Sequence, residues 1–527
     1  MRFWLAVSAV LILAVALRTS RLDIRPMHGD EAVHAYRFGQ LLEANNYRYD
    51  PTEFHGPTLN YFTLIPALLS SQHIYVSLTE ITLRIVPVFF GLVLVLMPLL
   101  LLDGLGKPVA AVACALTAVS PAFVFYSRYY IPEMLLVCFT FAMIVSGYRY
   151  AHSKKWIWAL RTGVFAALCF ATKETSVIAF GAVIAALAIV LLTRKDDGPA
   201  LNLVRPRHLA LALAGAVVVW GLFFSSFFKN PAGLIDSFRS YTTYFQRAGH
   251  NQFHIHPSYY YFQLLLYNKA DGGPPWTEGF IVVMALVGLL VIISRRGVSG
   301  LDSNLLKFIA GYTVIMAVVY SAIPYKTPWC LLSFYQGMIL LAAVAVVAIL
   351  NLLGRLLSRV IMVAFFATFT IDLVLQAFVA NFISFASSGN PYVYAHPTKD
   401  VLTIAKRIED VSAAFPTGRD MPVWVVCPGG DYWPLPWYLR SFKNVGYYND
   451  VNEVRSPTPP VVIASAGYQD RLINLLYDIS PAGQKDIYVP LFDKGIELRP
   501  QVELRGYVTK DLWDQWQSSK SDNQAVK

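Results

Sequence analysis

The 527-residue chain is 56% hydrophobic and only 14% charged, with a formal net charge of +10 and a mean hydropathy of +0.48. Soluble domains hold about 25% charged and about 45–50% apolar residues, so a wholly soluble fold is excluded and a polytopic membrane protein is expected. A nucleic-acid partner is excluded as well, because no basic stripe is clustered, and the five cysteines (114, 138, 169, 330, 427) include no CxxC pair and read as buried thiols.

Residues 3–17 follow Arg2 as an apolar run that fits a retained signal anchor, with cleavage after Ala14-Val15-Ala16 as the alternative. A spanning helix needs about 20 mostly apolar residues. Stretches near 3–19, 82–102, 108–126, 131–148, 158–172, 175–193, 208–228, 279–294, 305–323, 330–350 and 360–383 meet or approach that length, which predicts eleven spans. Residues 57–71 are too short and too interrupted by proline, and are expected to form a re-entrant or interfacial helix.

Loop charges predict the orientation. With the N-terminus cytoplasmic, short inner loops hold Lys107; Arg149, Lys154 and Lys155; Arg194, Lys195, Arg205 and Arg207; Arg295 and Arg296; and Arg355 and Arg359. Residues 20–81, 229–278 and everything past 384 then lie outside a cell membrane, although Arg18, Arg21 and Arg25 oppose this locally. Beyond Phe385 the apolar runs shorten, and strand-like pieces (423–427, 461–465) alternate with helix-like ones (398–412, 469–478). The expected organisation is a transmembrane domain over 1–384, an extracytoplasmic α/β domain over 385–515 and a disordered polar tail over 516–527. The fold class is thus mainly α, a polytopic helical bundle with a C-terminal α/β domain.

Chemistry concentrates in 28–57, which holds Asp30, Glu31, Glu43, Asp50, Glu53, His28, His34 and His55. If 29–43 is helical, Asp30 and His34 share a face at i,i+4 and Glu31 reaches His34 at i,i+3. A carboxylate beside a histidine suits a general base or a metal ligand; a solvated amphipathic helix capped near Asp30 is the alternative. His55-Gly56-Pro57 is either a bend or part of the same pocket. Arg128 and Glu133 in YSRYYIPEM offer a phosphate-holding guanidinium or a snorkelling ion pair. Lys173-Glu174 in ATKETS offers an anion site or an adjacent salt bridge. His254, His256 and Tyr259 in HIHPSYYYF, with Lys326 and Trp329 in YKTPW, are interfacial belt residues or stacking walls for a sugar. All six clusters fall on one predicted face.

This pattern resembles the GT-C membrane glycosyltransferases, in particular the dolichyl-phosphate-mannose protein mannosyltransferase-like group. The resemblance rests on the acidic pair Asp30-Glu31 in H-x-D-E, on His55–Pro57, and on Ser127, Arg128 and Glu133. DEAVHAY, YRYDPTEFHGP, ATKETS, HPSYYY, KTPW, PYVYAHP (391–397) and DYWPLPWYLR (431–440) are similar to the flippase-activity-associated subgroup. The resemblance implies transfer of a sugar from a polyprenyl-phosphate carrier in the lipid bilayer to a protein or glycan acceptor. It implies Asp30 as general base, Glu31 as its partner in the acceptor site, and Arg128 with Lys173 on the donor phosphate. Glu133 stands where many relatives carry aspartate. A divalent metal is possible on this resemblance, since its use varies between branches. A single base without a second nucleophilic carboxylate implies inversion. A non-catalytic carrier-binding or flippase-associated protein is the rival, and a transporter ranks behind it because mid-span charges, Asp372 the clearest, are few.

Overall fold

The computed structural model describes all residues except 45–46, 53–54, 194–203, 251–253, 271–272, 456, 480–485 and 526–527. Glu53, Arg194 and Lys195 therefore lie outside the described residues.

Among the described residues sixteen α-helices precede the C-terminal region: α1 (Arg2–Thr19), α2 (Gly29–Ala44), α3 (Thr58–Leu69), α4 (Glu80–Leu96), α5 (Leu102–Val119), α6 (Pro121–Ser127), α7 (Glu133–Ser153), α8 (Trp156–Phe170), α9 (Ser176–Thr193), α10 (Pro206–Phe224), α11 (Gly233–His250), α12 (Tyr260–Leu266), α13 (Gly279–Ser294), α14 (Ser303–Ala322), α15 (Leu332–Leu352) and α16 (Leu356–Phe378). Among the described residues eight helical stretches are long and apolar enough to cross a membrane, one of them the 40-residue run Glu80–Val119. That run is broken at Gly106, whose φ of +70° no side-chain-bearing residue adopts readily, just before Pro108. α8 and α13, with 15 and 16 residues, are apolar but shorter. The chain is a multi-pass membrane protein. α15 forms the centre of the bundle, buried along almost its whole length, while α10 and α16 present mostly apolar side chains outward, as lipid-facing helices do.

The expected span 108–126 is two helices. Ser120 ends α5, and its hydroxyl accepts from Phe123 N–H to start α6 at Pro121, the favoured place for proline in a first turn. This short helix turns the chain so that Arg128 arrives at the end of the bundle that carries α2.

The two ends of the bundle differ. At one, the short loops tie to each other: Asp302 N–H donates to Gly104 O, Asp302 meets His152, Arg149 meets Asp103, and Arg205 N–H donates to the Tyr150 hydroxyl. At the other end the long segments and the C-terminal region meet.

That region comprises α17 (Asp400–Ser412), α18 (Leu435–Tyr438), α19 (Gln469–Ile479), α20 (Lys510–Ala525) and strands β1 (Val423–Val426), β2 (Val445–Tyr448), β3 (Val461–Ser465), β4 (Tyr488–Pro490), β5 (Ile496–Arg499) and β6 (Val502–Thr509). The sheet order is β2-β1-β3-β6-β4, with β5 also on β6; β1 pairs in parallel with β2 and β3, while β6 is antiparallel. Alternate residues of β1 and β3 fill two cores: Val423, Val425, Val461 and Ile463 on one face, Trp424, Val426, Val462 and Ala464 on the other. The stretch expected as a disordered tail is instead helical through Ala525. Leu512 and Trp516 lie four residues apart on one face of α20 and are buried in the first of those cores, and this apolar pair holds down a helix that composition alone reads as polar. The domain docks through 427–440: Met27 N–H donates to the Tyr438 hydroxyl, Trp437 Nε1–H to Glu80, and Arg440 to Leu78 O.

Candidate active site at the loop-bearing end of the bundle

Asp30 and Glu31 open α2 in opposite environments. The Glu31 side chain is wholly buried. Its Oε1 accepts from Arg84 Nε (2.8 Å), Tyr130 N–H (2.8 Å) and Arg25 (3.4 Å), and its Oε2 from Arg84 Nη2 (2.8 Å) and His28 N–H (3.0 Å). Burial alone would raise this carboxyl, but the two guanidinium charges and the hydrogen bonds hold it well below the usual carboxylate range. Both oxygens are occupied, so the expected place of Glu31 in an acceptor site has no free oxygen to rest on. Arg84 also ties Leu22, Arg25 and Pro26 through their carbonyls, and the cluster fixes the chain entering α2.

Asp30, one residue away, has a side chain 53% exposed. Its backbone N–H donates to His28 Nδ1 at 3.0 Å, and His28 Nε2 lies 3.1 Å from Tyr394 O. Accepting at Nδ1 and donating at Nε2 defines a neutral ring, in keeping with burial, which pushes this imidazole down. The 3.8 Å approach of His28 Nδ1 to the Asp30 carboxylate is therefore not an ion pair.

His34 sits one turn along, and burial pushes it down to about 4. Its ring centroid lies 6.3 Å from that of His55 and 6.4 Å from that of Tyr130. His55 Nδ1 pairs with Glu174 Oε2 at 2.8 Å, and Lys173 pairs with Glu133. His254 Nδ1 (2.6 Å) and His256 Nε2 (3.0 Å) meet the Tyr394 hydroxyl, and the ring of Trp329 packs at 6.0 Å from those of both His28 and Tyr394. Asp30, His28, His34, His55, Glu133, Lys173, Glu174, His254, His256 and Trp329 thus gather at one end of the bundle.

Arg128 is nearby but differently employed. It donates to the carbonyls of Leu17, Arg18, Ser20 and Arg21 at 2.7–3.2 Å and stacks over Phe382. It caps the C-terminal end of α1, whose last carbonyls have no partner within the helix. Lys326 is buried, its ammonium donating to His256 O and Ile323 O, and no carboxylate pairs with it among the described residues. An apolar groove of about 470 Å³, with Ser258, Tyr259, Ser321 and Ala322 among its lining residues, runs between α13 and α14 over α15. Tyr259 belongs to this groove rather than to the Asp30 cluster.

Sequence reasoning missed Arg25, Arg84, Glu278, Tyr394 and His396. Glu278 is buried and accepts from Ser120 Oγ (2.5 Å), Ala122 N–H (2.9 Å), Tyr335 (2.7 Å) and Tyr392 (2.6 Å); burial raises its carboxyl. Arg84 and Glu278 each carry a charge at the edge of an apolar run, which was a legible signal. His396, stacked near His28 and Tyr129, has an unpartnered buried Nε2. For a metal, no group of three or more His, Cys, Asp or Glu is gathered among the described residues.

A family model described as dolichyl-phosphate-mannose-protein mannosyltransferase matches residues 58–223. That segment includes Arg84, Arg128, Glu133, Lys173 and Glu174. Among solved structures, ArnT of Cupriavidus metallidurans bound to undecaprenyl phosphate is 14% identical, with a TM-score of 0.64 over 95% of this chain and 97% of that one. The oligosaccharyltransferase AglB of Archaeoglobus fulgidus, in complex with an inhibitory peptide and a dolichol-phosphate, is 12% identical, with a TM-score of 0.56 over 89% and 70%. The fold is that of the GT-C membrane glycosyltransferases. No curated protein matches the chain in sequence. The GT-C likeness spans both the bundle and the C-terminal domain, since nearly the whole chain is covered in the ArnT superposition.

Proposed function

We propose that the protein transfers a sugar from a polyprenyl-phosphate carrier to an acceptor on the extracytoplasmic face, with Asp30 as general base. The observation that carries this is the contrast inside one acidic cluster. Glu31, Glu133 and Glu174 are buried and paired, whereas Asp30 is half exposed at the same site. A base must reach the proton that it removes, and among these four carboxylates Asp30 has room to do so.

In the proposed step the acceptor oxygen forms a bond to the anomeric carbon while the bond from that carbon to the phosphate oxygen breaks. The acceptor proton passes to Asp30 and the electron pair leaves with the phosphate. A single displacement inverts the anomeric carbon. The developing phosphate charge needs cations; Lys173 beside Glu133, and Lys326, which has no carboxylate partner among the described residues, supply them. The groove accommodates part of an isoprenoid chain. ArnT and AglB, the structural neighbours solved with undecaprenyl phosphate and dolichol-phosphate, support a polyprenyl carrier, and the family match supports a glycosyl donor. The loop charges support a cytoplasmic N-terminus and a sheet domain outside.

A transporter reading is weakened by Asp372. It accepts from Gln376 at 2.6 Å, and Gln376 in turn donates to Thr277 O at 3.0 Å. This acid therefore sits one turn from the loop-bearing end, not on a mid-span path. A carrier-binding or flippase-associated protein would need the groove and Lys326 but no exposed base.

The test is incubation of the purified protein in nanodiscs with a panel of polyprenyl-phosphate sugars and acceptors, followed by mass spectrometry. Asp30→Asn keeps shape and capping ability, and transfer is expected to fall by about 10²–10⁴-fold while carrier binding persists. Turnover unchanged by Asp30→Asn would remove Asp30 as the base; carrier binding with no turnover by the wild type would favour the binding-protein reading.

A further inference from the structure

His55 and Glu174 form a dyad that the proposed displacement does not use, and the fold goes to some length to assemble it. Gly56 N–H donates to Thr172 O at 3.1 Å, Thr58 N–H donates to Ala171 O at 3.2 Å, and the Thr58 and Thr172 hydroxyls meet at 2.8 Å. A Cβ at Gly56 would lie 2.1 Å from the Ala171 carbonyl oxygen, so only glycine permits this clamp. The clamp sets residue 55 against residue 174. Glu174 Oε2 then pairs with His55 Nδ1 at 2.8 Å, and Oε1 accepts from the Tyr49 hydroxyl at 3.2 Å. Burial would raise the Glu174 carboxyl, but the adjacent His55 holds it below the usual range.

The carboxylate is 7% exposed and the imidazole 30%. With Nδ1 committed to Glu174, Nε2 is the ring nitrogen left for a ligand, and it carries no hydrogen bond among the described residues. The ring faces His34, one turn from Asp30, and Glu174 directly follows Lys173, which turns to Glu133. The dyad therefore stands between the proposed base and a proposed phosphate cation, where the sugar of the donor has to lie.

We infer that the His55–Glu174 dyad is a specificity element that reads one hydroxyl of the transferred sugar. His55 Nε2 hydrogen-bonds the hydroxyl, while Glu174 and Tyr49 fix the plane of the ring. Glu174 is a positioning residue. The inference rests on the transferase reading and adds to it the side chains that choose the sugar. A site built around a substrate hydroxyl discriminates against sugars that lack or invert it, because the site's own polar group is then left unpaired.

The experiment measures Kd in nanodiscs for decaprenyl-phosphate-mannose, -glucose and -galactose and for bare decaprenyl phosphate. The wild type is expected to prefer one of the three sugars by about tenfold, a single well-placed hydrogen bond being worth about that much. His55→Ala should narrow the preference to about twofold, and Glu174→Gln should narrow it partway. Neither should move the Kd for the bare lipid by more than about twofold, which also shows that the variants are folded. Preference retained in both variants overturns the inference, as does absence of any preference in the wild type. A parallel loss of bare-lipid binding makes the dyad structural and overturns it too. Failure of the wild type to bind any of the four lipids overturns the transferase reading itself, a result distinct from loss of preference.

Discussion

Glu31→Gln should act on folding first and on chemistry only through it. The carboxylate is the counter-charge to Arg84 and Arg25 and accepts two backbone N–H groups. Glutamine keeps the length and one carbonyl, but its amide donors face donors, and two guanidinium groups lose their compensation. Removing one partner of a buried pair costs about 3–5 kcal/mol, whereas Asp30→Asn, at an exposed carboxylate, should change stability by less than about 0.5 kcal/mol. Thermal unfolding of both variants in the same nanodiscs measures the difference. The pH dependence provides a second reading with a definite sign. The folded Glu31 carboxyl is held far below its unfolded value of about 4.3, so its stabilisation is complete above that pH. It is lost as pH falls from there toward the folded value. The wild type should lose more stability than Glu31→Gln below about pH 4, and the two curves should converge. Wild-type thermal stability in Glu31→Gln combined with abolished transfer would refute this reasoning and return Glu31 to the acceptor site.

Other substitutions separate support from binding. Arg128→Lys removes the fork that serves four carbonyls of the α1 end, so unfolding should become easier by about 1.5–3 kcal/mol with carrier Kd unchanged; weaker carrier binding in a protein of wild-type stability would restore a phosphate role. Lys326→Gln should weaken binding of decaprenyl phosphate by about tenfold, and an unchanged Kd would remove Lys326 from the phosphate site. Gly56→Ala drives a methyl into Ala171 O and should cost about 1–3 kcal/mol, read by thermal unfolding; a neutral effect would show that the clamp yields.

The membrane segments were legible because hydropathy is local. The expected span 175–193 coincides with α9, and 305–323 with α14. What failed was the sequence's silence on distant partners. Glu31 and Asp30 are adjacent and chemically alike, and only Arg84, 53 residues away, decides which of them is buried. Arg128 looked like a phosphate ligand because its partners are backbone carbonyls of α1, and carbonyls leave no trace in a sequence. The break at Ser120 and the helix that replaces the polar tail follow the same rule. Ser120 is drawn to Glu278, and Trp516 is drawn to a core that α17 and the sheet provide.

The six clusters singled out in the sequence were each compatible with a bland explanation, and the structure shows why their joint occurrence was informative. Charges near a bilayer surface can always face water individually. Here they do not: Arg18, Arg25, Glu31, Arg84, Arg128, Glu133, Lys173 and Glu174 are all buried at one end of the bundle. Burying eight ionisable groups is tolerated only where each finds partners, and a fold that needed stability alone would be served as well by apolar side chains of similar volume. The partners found are paired so that Asp30 remains the exposed carboxylate of the group, with the His55 ring partly open nearby. Under the proposed displacement the ionic network would hold the few accessible groups in place, as aligning base, anomeric carbon and phosphate requires.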